Sequence, residues 1–137
     1  MTDEAVKSAL GESAKKAEDM FKDEEKTRGF LNEIENKLGD FPKLDKIMDD
    51  VKTVIAMLRD VLNKKYDALP VTAIASLLGA LMYLLKGRDL IPDSIPVAGQ
   101  LDDLAIMVLA LKLCSGDIEK YKKWRAEQKD SGPNLQV

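Results

Sequence analysis

Apolar residues recur every three or four positions over much of this chain, which is the spacing of one face of an α-helix. The clearest stripe runs through residues 44–62, with charged side chains between its apolar positions. It predicts an amphipathic helix from Pro42 to about Lys65. Residues 71–85 and 101–114 are instead apolar on nearly every side, which is typical of helices that are buried all round. The pattern therefore predicts an all-α fold, a small helical bundle in which the amphipathic helix packs on a buried apolar helical hairpin.

The first part of the chain differs from the rest because its apolar series is thin. Ala, Glu, Lys and Asp dominate there, so a helix formed by these residues would bury little surface. We therefore expect residues 1–40 to form a loosely packed N-terminal helical extension. Gly39 is expected to end it in a left-handed cap, and Asp40 to cap the next helix. Residues 41–130 are expected to form the main helical domain, and residues 131–137 a disordered tail.

A membrane span is the main alternative to a buried hairpin. Residues 68–85 carry no charged side chain, and these 18 residues reach the lower limit of a transmembrane helix. The second apolar segment is shorter, because only residues 104–111 separate Asp103 from Lys112. An aspartate at the bilayer centre also costs about 2.5 to 3.5 kcal/mol. We therefore favour a buried protein core, with peripheral membrane contact through exposed apolar surface left open.

Composition and charge remove several classes of function. The 24 acidic and 21 basic side chains are interspersed, so no basic stripe indicates a nucleic-acid partner. Because the chain has no histidine, serine–histidine and cysteine–histidine nucleophile pairs and histidine-based zinc sites are excluded. Cys114 is the single cysteine, which excludes an intramolecular disulfide, and the polar N-terminus lacks a signal-peptide pattern. The expected location is cytoplasmic, either free or peripheral to a membrane.

Four aspartates lie in a polar, proline-broken segment between the two apolar helices: Asp89, Asp93, Asp102 and Asp103. The last two are expected in the first turn of a helix, where free N–H groups donate to carboxylates. The first two can accept hydrogen bonds from backbone amides in the turns around Pro92 and Pro96, with Arg88 as a nearby cation. Capping and pairing are the favoured interpretation, because they need no ligand.

The same four carboxylates support a second interpretation, a site for a divalent cation. Mg or Ca binds several carboxylate oxygens, and the segment could fold over the helix start to bring all four aspartates together. A bound cation could activate water for hydrolysis without histidine. Against this, Asp102 and Asp103 are adjacent and point about 100° apart on a helix. We therefore weight capping above metal binding.

The aspartates belong to a longer ordered motif. It comprises Tyr83, Asp89-Leu90-Ile91-Pro92-Asp93, Ile95-Pro96, Gly99 and Leu101-Asp102-Asp103. Through this motif, residues 41–115 resemble the YkvA-like family of bacterial and archaeal domains of unknown function. The resemblance implies a small helical domain that is sometimes associated with membranes, and it implies no established reaction.

The sequence favours a non-catalytic interaction or scaffold module. Such a module would contact a protein partner or a membrane surface through an exposed apolar patch or the N-terminal segment, and it would need no cofactor. In this interpretation Tyr83, Arg88, Pro92, Pro96 and Gly99 shape the aspartate segment, with the Tyr83 hydroxyl bonded to one of its carboxylates. The alternative is a hydrolase-like enzyme that depends on Mg or Ca bound by the four aspartates.

Overall fold

The structure, a computed structural model, describes residues 3–86 and 103–131 of the chain. Within these residues it contains six α-helices, two short 3-10 segments and no strand. The helices are α1 (Asp3–Phe21), α2 (Glu24–Lys37), α3 (Met48–Leu62), α4 (Val71–Lys86), α5 (Asp103–Leu113) and α6 (Ser115–Ser131). The 3-10 segments, Leu38–Asp40 and Pro42–Ile47, join α2 to α3. The prediction of an all-α bundle is confirmed.

Helix α4 is the centre of the bundle. It packs against α1 along most of its length and against α5 on another side. Between residues 73 and 84 every side chain except that of Ser76 is buried. This placement explains why α4 is apolar on nearly all sides, as expected for one half of a buried hairpin. In the part of the chain that the structure describes, no helix combines the length and apolarity needed to cross a membrane.

Helix α1 is closely packed, contrary to the loose packing expected for the N-terminal segment. Its inner face is made of small residues, Ala9, Ser13 and Ala17, and all three are fully buried. Facing them is Gly79 of α4, where a Cβ atom would lie 2.7 Å from the backbone nitrogen of Ala14. Small side chains let the two backbones approach closely, so α1 buries little apolar area per residue yet covers one side of α4. One hydrophobic cluster includes residues from α1 and from the later helices.

Helix α3 packs mainly against α2, and it also contacts α4, one half of the hairpin on which the sequence pattern placed it. Two arginines hold α2 and α3 together. Arg59 of α3 donates to Glu35 of α2 at 2.9 Å, and Arg28 of α2 donates to the side-chain oxygen of Asn63 at 2.7 Å. Both contacts are exposed, so they orient the helices more than they stabilise them.

The start of α3 also differs from the prediction. The α-helix begins at Met48, because residues 42–47 form a 3-10 segment. Asp40 lies at the end of the preceding 3-10 segment, and Phe41, which comes before Pro42, makes no side-chain cap. Gly39 lies within the 3-10 segment Leu38–Asp40 and forms no left-handed cap.

The end of α3 is a Schellman motif. The Lys65 amide donates to the Asp60 carbonyl at 2.9 Å, and the Lys64 amide donates to the Val61 carbonyl at 3.1 Å. Lys64 takes the left-handed position with φ of 61°. The turn directs the chain back over α3 and places Tyr66 in the core beside α6.

Helix α6 follows α5 almost without interruption. A single turn residue, Cys114, separates them, and its carbonyl accepts a hydrogen bond from the Ile118 amide at 2.9 Å. Asp117 lies in the first turn of α6. Residues 132–137, most of the predicted tail, lie outside the described residues.

Candidate interaction surface

The predicted aspartate site falls largely outside the described residues. The residues of the site that lie outside the described ranges are Asp89, Asp93 and Asp102, together with the shaping residues Arg88, Pro92, Pro96 and Gly99. Asp103 is the first residue of α5, and Tyr83 is buried in α4. The cation site, the capping of the aspartates and the bond from Tyr83 to one of them stay predictions. Among the side chains that the structure describes, no three metal-ligating groups come together.

The two ends of the aspartate segment are anchored beside the 3-10 segment that precedes α3. Leu84 near the end of α4 and Leu104 near the start of α5 both line a cavity of about 170 Å³. The opposite wall of this cavity is formed by Phe41, Pro42 and Leu44. Leu84 of α4 and Leu104 of α5 therefore lie at the same end of the bundle, next to the turn that leads into α3.

The outer face of α5 is apolar although it is only partly covered. We define this face by the stripe Ala105, Val108, Leu109 and Lys112, and by Leu113, which lies at the edge of the stripe one turn beyond Leu109. The inner face of α5, formed by Ile106, Met107 and Ala110, is completely buried. On the outer face Ala105, Val108 and Leu109 are half-buried, and Leu113 is 62% exposed. A helix that is apolar on both sides but packed on one side leaves a surface suited to a further contact.

A shallow groove runs along this outer face where α5 meets α1. Its volume is about 290 Å³, and Val6 of α1 together with Ala105, Val108 and Leu109 of α5 forms its apolar lining. The other lining residues are Lys7 from α1 and Lys112 from α5. The groove therefore combines an apolar lining with positive charge contributed by both helices.

Another exposed apolar side chain is Val71, the first residue of α4, which is 60% exposed. Val71 and Leu113 each lie at the end of their helix farther from residues 87–102, the segment that joins α4 to α5. Among the described residues these two are the exposed large hydrophobic side chains. Sequence periodicity missed them because it assigned every apolar residue of α4 and α5 to the core. The available signal was the lack of any polar side on the 11-residue helix α5.

A separate aromatic cluster fixes α6 on the body of the protein. The ring centroids of Tyr66 and Tyr121 lie 5.1 Å apart in an edge arrangement, and Trp124 is 5.0 Å from Tyr66. The Tyr121 hydroxyl donates to the Asp60 carboxylate at 2.6 Å. Burial, followed by this hydrogen bond, raises the pKa of Tyr121 above its ordinary value. Asp60, which the sequence pattern placed on a solvated face, is therefore a structural acceptor.

Cys114 is buried between α5 and α6. Burial, with a smaller contribution from the Asp117 charge, raises the pKa of its thiol to about 11. The thiol is therefore protonated near neutral pH, and its role is that of a small apolar side chain.

Comparison with known proteins places the hairpin and its connecting segment in a family. A family model described as "Protein of unknown function (DUF1232)" matches residues 73–109, which extend from α4 into α5. The "Uncharacterized membrane protein YkvA" of Bacillus subtilis (strain 168) is 33% identical over 82 residues, which cover 60% of this chain and 77% of that protein. The chain belongs to the YkvA-like family. No solved structure matches it significantly.

Membership of the YkvA-like family confirms the resemblance drawn from the aspartate motif. The matched residues 73–109 contain most of the central helix α4, the aspartate segment and the part of α5 that carries Val108 and Leu109. The description of the matching family specifies no reaction. Function in this YkvA-like chain must therefore be argued from the surface of the bundle itself.

Proposed function

We propose that this protein is a non-catalytic interaction module that binds the surface of a membrane through the outer face of α5. The observation that carries the proposal is the packing of α5, an apolar helix with one buried side and one partly uncovered side. At the end of the uncovered side, Leu113 is 62% exposed. A second contact that covered this leucine would remove the exposed part of its side chain from water, which is favourable by about 1 to 2 kcal/mol.

The charges beside this face favour a lipid surface over an apolar protein surface. Lys7 and Lys112 line the groove, and its lining contains no acidic residue. Apolar side chains flanked by lysines are typical of proteins that lie at the boundary between lipid headgroups and acyl chains. The relative from Bacillus subtilis is named a membrane protein. In the described residues of this chain no helix could span a bilayer, so the proposed contact is peripheral.

The test is flotation of the purified protein with phospholipid vesicles, using a variant that places charge on the proposed contact. Leu113→Glu puts a carboxylate at the exposed end of the outer face. Ala126→Glu is the matched control, because Ala126 is exposed on α6 and the substitution adds the same charge. We expect the wild-type protein and Ala126→Glu to float with the vesicles, and Leu113→Glu to lose at least 80% of the floating fraction.

Two results would contradict the proposal. The first is wild-type protein that remains at the bottom of the gradient with both neutral and anionic vesicles. The second is equal loss of flotation in Leu113→Glu and Ala126→Glu, since that would make net charge the cause and not the outer face. Circular dichroism of both variants controls for unfolding, and at an exposed position the helical signal should be retained.

A further inference from the structure

We propose that the groove between α1 and α5 binds the headgroup of an anionic phospholipid, with Lys7 and Lys112 contacting the phosphate or carboxylate oxygens. This inference rests on the proposed membrane contact and names the lipid class that the contact selects. The apolar lining of the groove, Val108 and Leu109 in particular, would lie against the upper part of an acyl chain. The ligand is thus an amphiphile with a negative head, matched by a groove with an apolar lining and two ammonium groups.

The position of Lys112 on α5 follows from helix geometry. Ala105, Val108, Leu109 and Lys112 are spaced by three, four and seven residues, so they form one stripe along the helix. Lys112 therefore stands at the end of the apolar stripe and not on the opposite side of the helix. It is exposed, as is Lys7 on α1. Because long lysine side chains keep their ammonium groups at the water boundary while their methylenes cover apolar surface, both can reach a headgroup above the groove.

Among the described residues, no acidic one is part of the groove lining, which includes Lys7 and Lys112. Ion pairs elsewhere on α1 use Lys15 with Glu12 and Lys22 with Asp19, and neither pair lines the groove. Lys7 and Lys112 form no ion pair with any side chain that the structure describes. Two cations that line one groove repel each other, and a bound anion would reduce that repulsion.

A double variant tests this assignment. Lys7→Gln with Lys112→Gln removes both cations and leaves the apolar lining intact. Its matched control is Lys16→Gln with Lys120→Gln, because these lysines are exposed on α1 and α6, lie outside the groove lining and give the same net charge. Binding is measured at about physiological salt with two kinds of vesicle. One is neutral phosphatidylcholine, and the other contains about 30% phosphatidylserine, which makes its surface anionic.

The expected result is lipid-selective. A lysine at an anionic surface contributes about five-fold in affinity, so the Lys7 and Lys112 double variant should bind the anionic vesicles about 30-fold more weakly than the wild-type protein. The affinity of the control double variant for anionic vesicles should differ from that of the wild-type protein by less than three-fold. Affinity for neutral vesicles should be similar in all three proteins. Higher salt should weaken the binding of the wild-type protein to anionic vesicles more than it weakens the binding of the Lys7 and Lys112 variant.

The outcomes separate this inference from the proposed function. Equal wild-type binding to neutral and anionic vesicles would overturn the headgroup site while leaving the membrane contact in place. Equal losses in the two double variants would also overturn the site, because they would show a diffuse charge effect. Wild-type protein that binds neither kind of vesicle would overturn the membrane contact, and the headgroup site with it.

Discussion

Lys64 holds a backbone conformation that costs a lysine more than it would cost a glycine. Its φ of 61° places it in the left-handed region at the end of α3, where an L-residue loses about 1 to 2 kcal/mol relative to the right-handed helix. Glycine takes this conformation without the steric cost, although it loses more chain entropy on folding. We predict that Lys64→Gly raises the free energy of unfolding by about 0.5 to 1 kcal/mol, measured by urea denaturation.

The neighbouring position supplies the control. Lys65 is exposed and has no positive φ, so Lys65→Gly adds only the entropy cost of glycine and should lower the free energy of unfolding by up to about 1 kcal/mol. Stabilisation by both substitutions, or by neither, would contradict the strain assigned to Lys64.

Gly39 and Lys64 show why the backbone conformation of a single residue is hard to predict from the sequence. Gly39 has the residue type that favours a left-handed cap, yet the chain passes through it in a 3-10 segment. Lys64 lacks that residue type and takes the cap conformation. Tertiary packing provides a physical reason, because Tyr66 must reach Tyr121 and Trp124 of α6 directly after the turn. The preference of a residue type for the left-handed cap is worth less free energy than the packing of these three aromatic rings.

At the scale of elements, the contact between α1 and α4 is the least tolerant of added volume. A Cβ atom on Gly79 would lie 2.7 Å from the nitrogen and 2.9 Å from the Cα of Ala14. Both are backbone atoms, so one helix must move to make room. We predict that Gly79→Ala lowers the free energy of unfolding by at least about 2 kcal/mol, although alanine favours helix formation.

Gly29 in α2 provides the opposite case. A Cβ atom there would have no neighbour within 4 Å, and the residue is exposed within a helix. Gly29→Ala should therefore raise the free energy of unfolding by about 0.5 to 1 kcal/mol. The free energies of unfolding of the Gly79→Ala and Gly29→Ala proteins are measured by thermal and urea denaturation. A Gly79→Ala protein as stable as the wild type would disprove the close approach of α1 and α4.

The helices and the pairing of α4 with α5 were predictable from the sequence, whereas the close contact of α1 with α4 was not. The spacing of apolar residues correctly predicted helices along the segments that form α3, α4 and α5. The N-terminal segment was also predicted to be helical, but its close packing was not, because the burial of Ala9, Ser13 and Ala17 depends on a close backbone approach and not on large apolar side chains. Small residues give a weak hydrophobic signal, and the matching Gly79 is recognisable only when the two helices are seen together.

For the whole molecule, the buried hairpin and the helical fold class were predictable and the candidate interaction surface was not. The apolar residues of α5 looked uniformly like core, and only the packed bundle separates Ile106 and Ala110 inside from Val108 and Leu113 outside. Lys7 and Lys112 are more than a hundred positions apart in the chain and meet at one groove. A pattern read along one helix contains no information on such a pairing.

The central claim is that the outer face of α5 meets the membrane, and a fluorescent probe on that face tests it most directly. An environment-sensitive fluorophore is attached to Leu113→Cys, with Cys114→Ala to remove the native thiol. The control carries the same fluorophore at Ala126→Cys on α6. On addition of anionic vesicles, we predict a blue shift and enhanced emission at position 113 and no change at position 126. A protein that binds the vesicles with no change at position 113, or with the larger change at position 126, would contradict it.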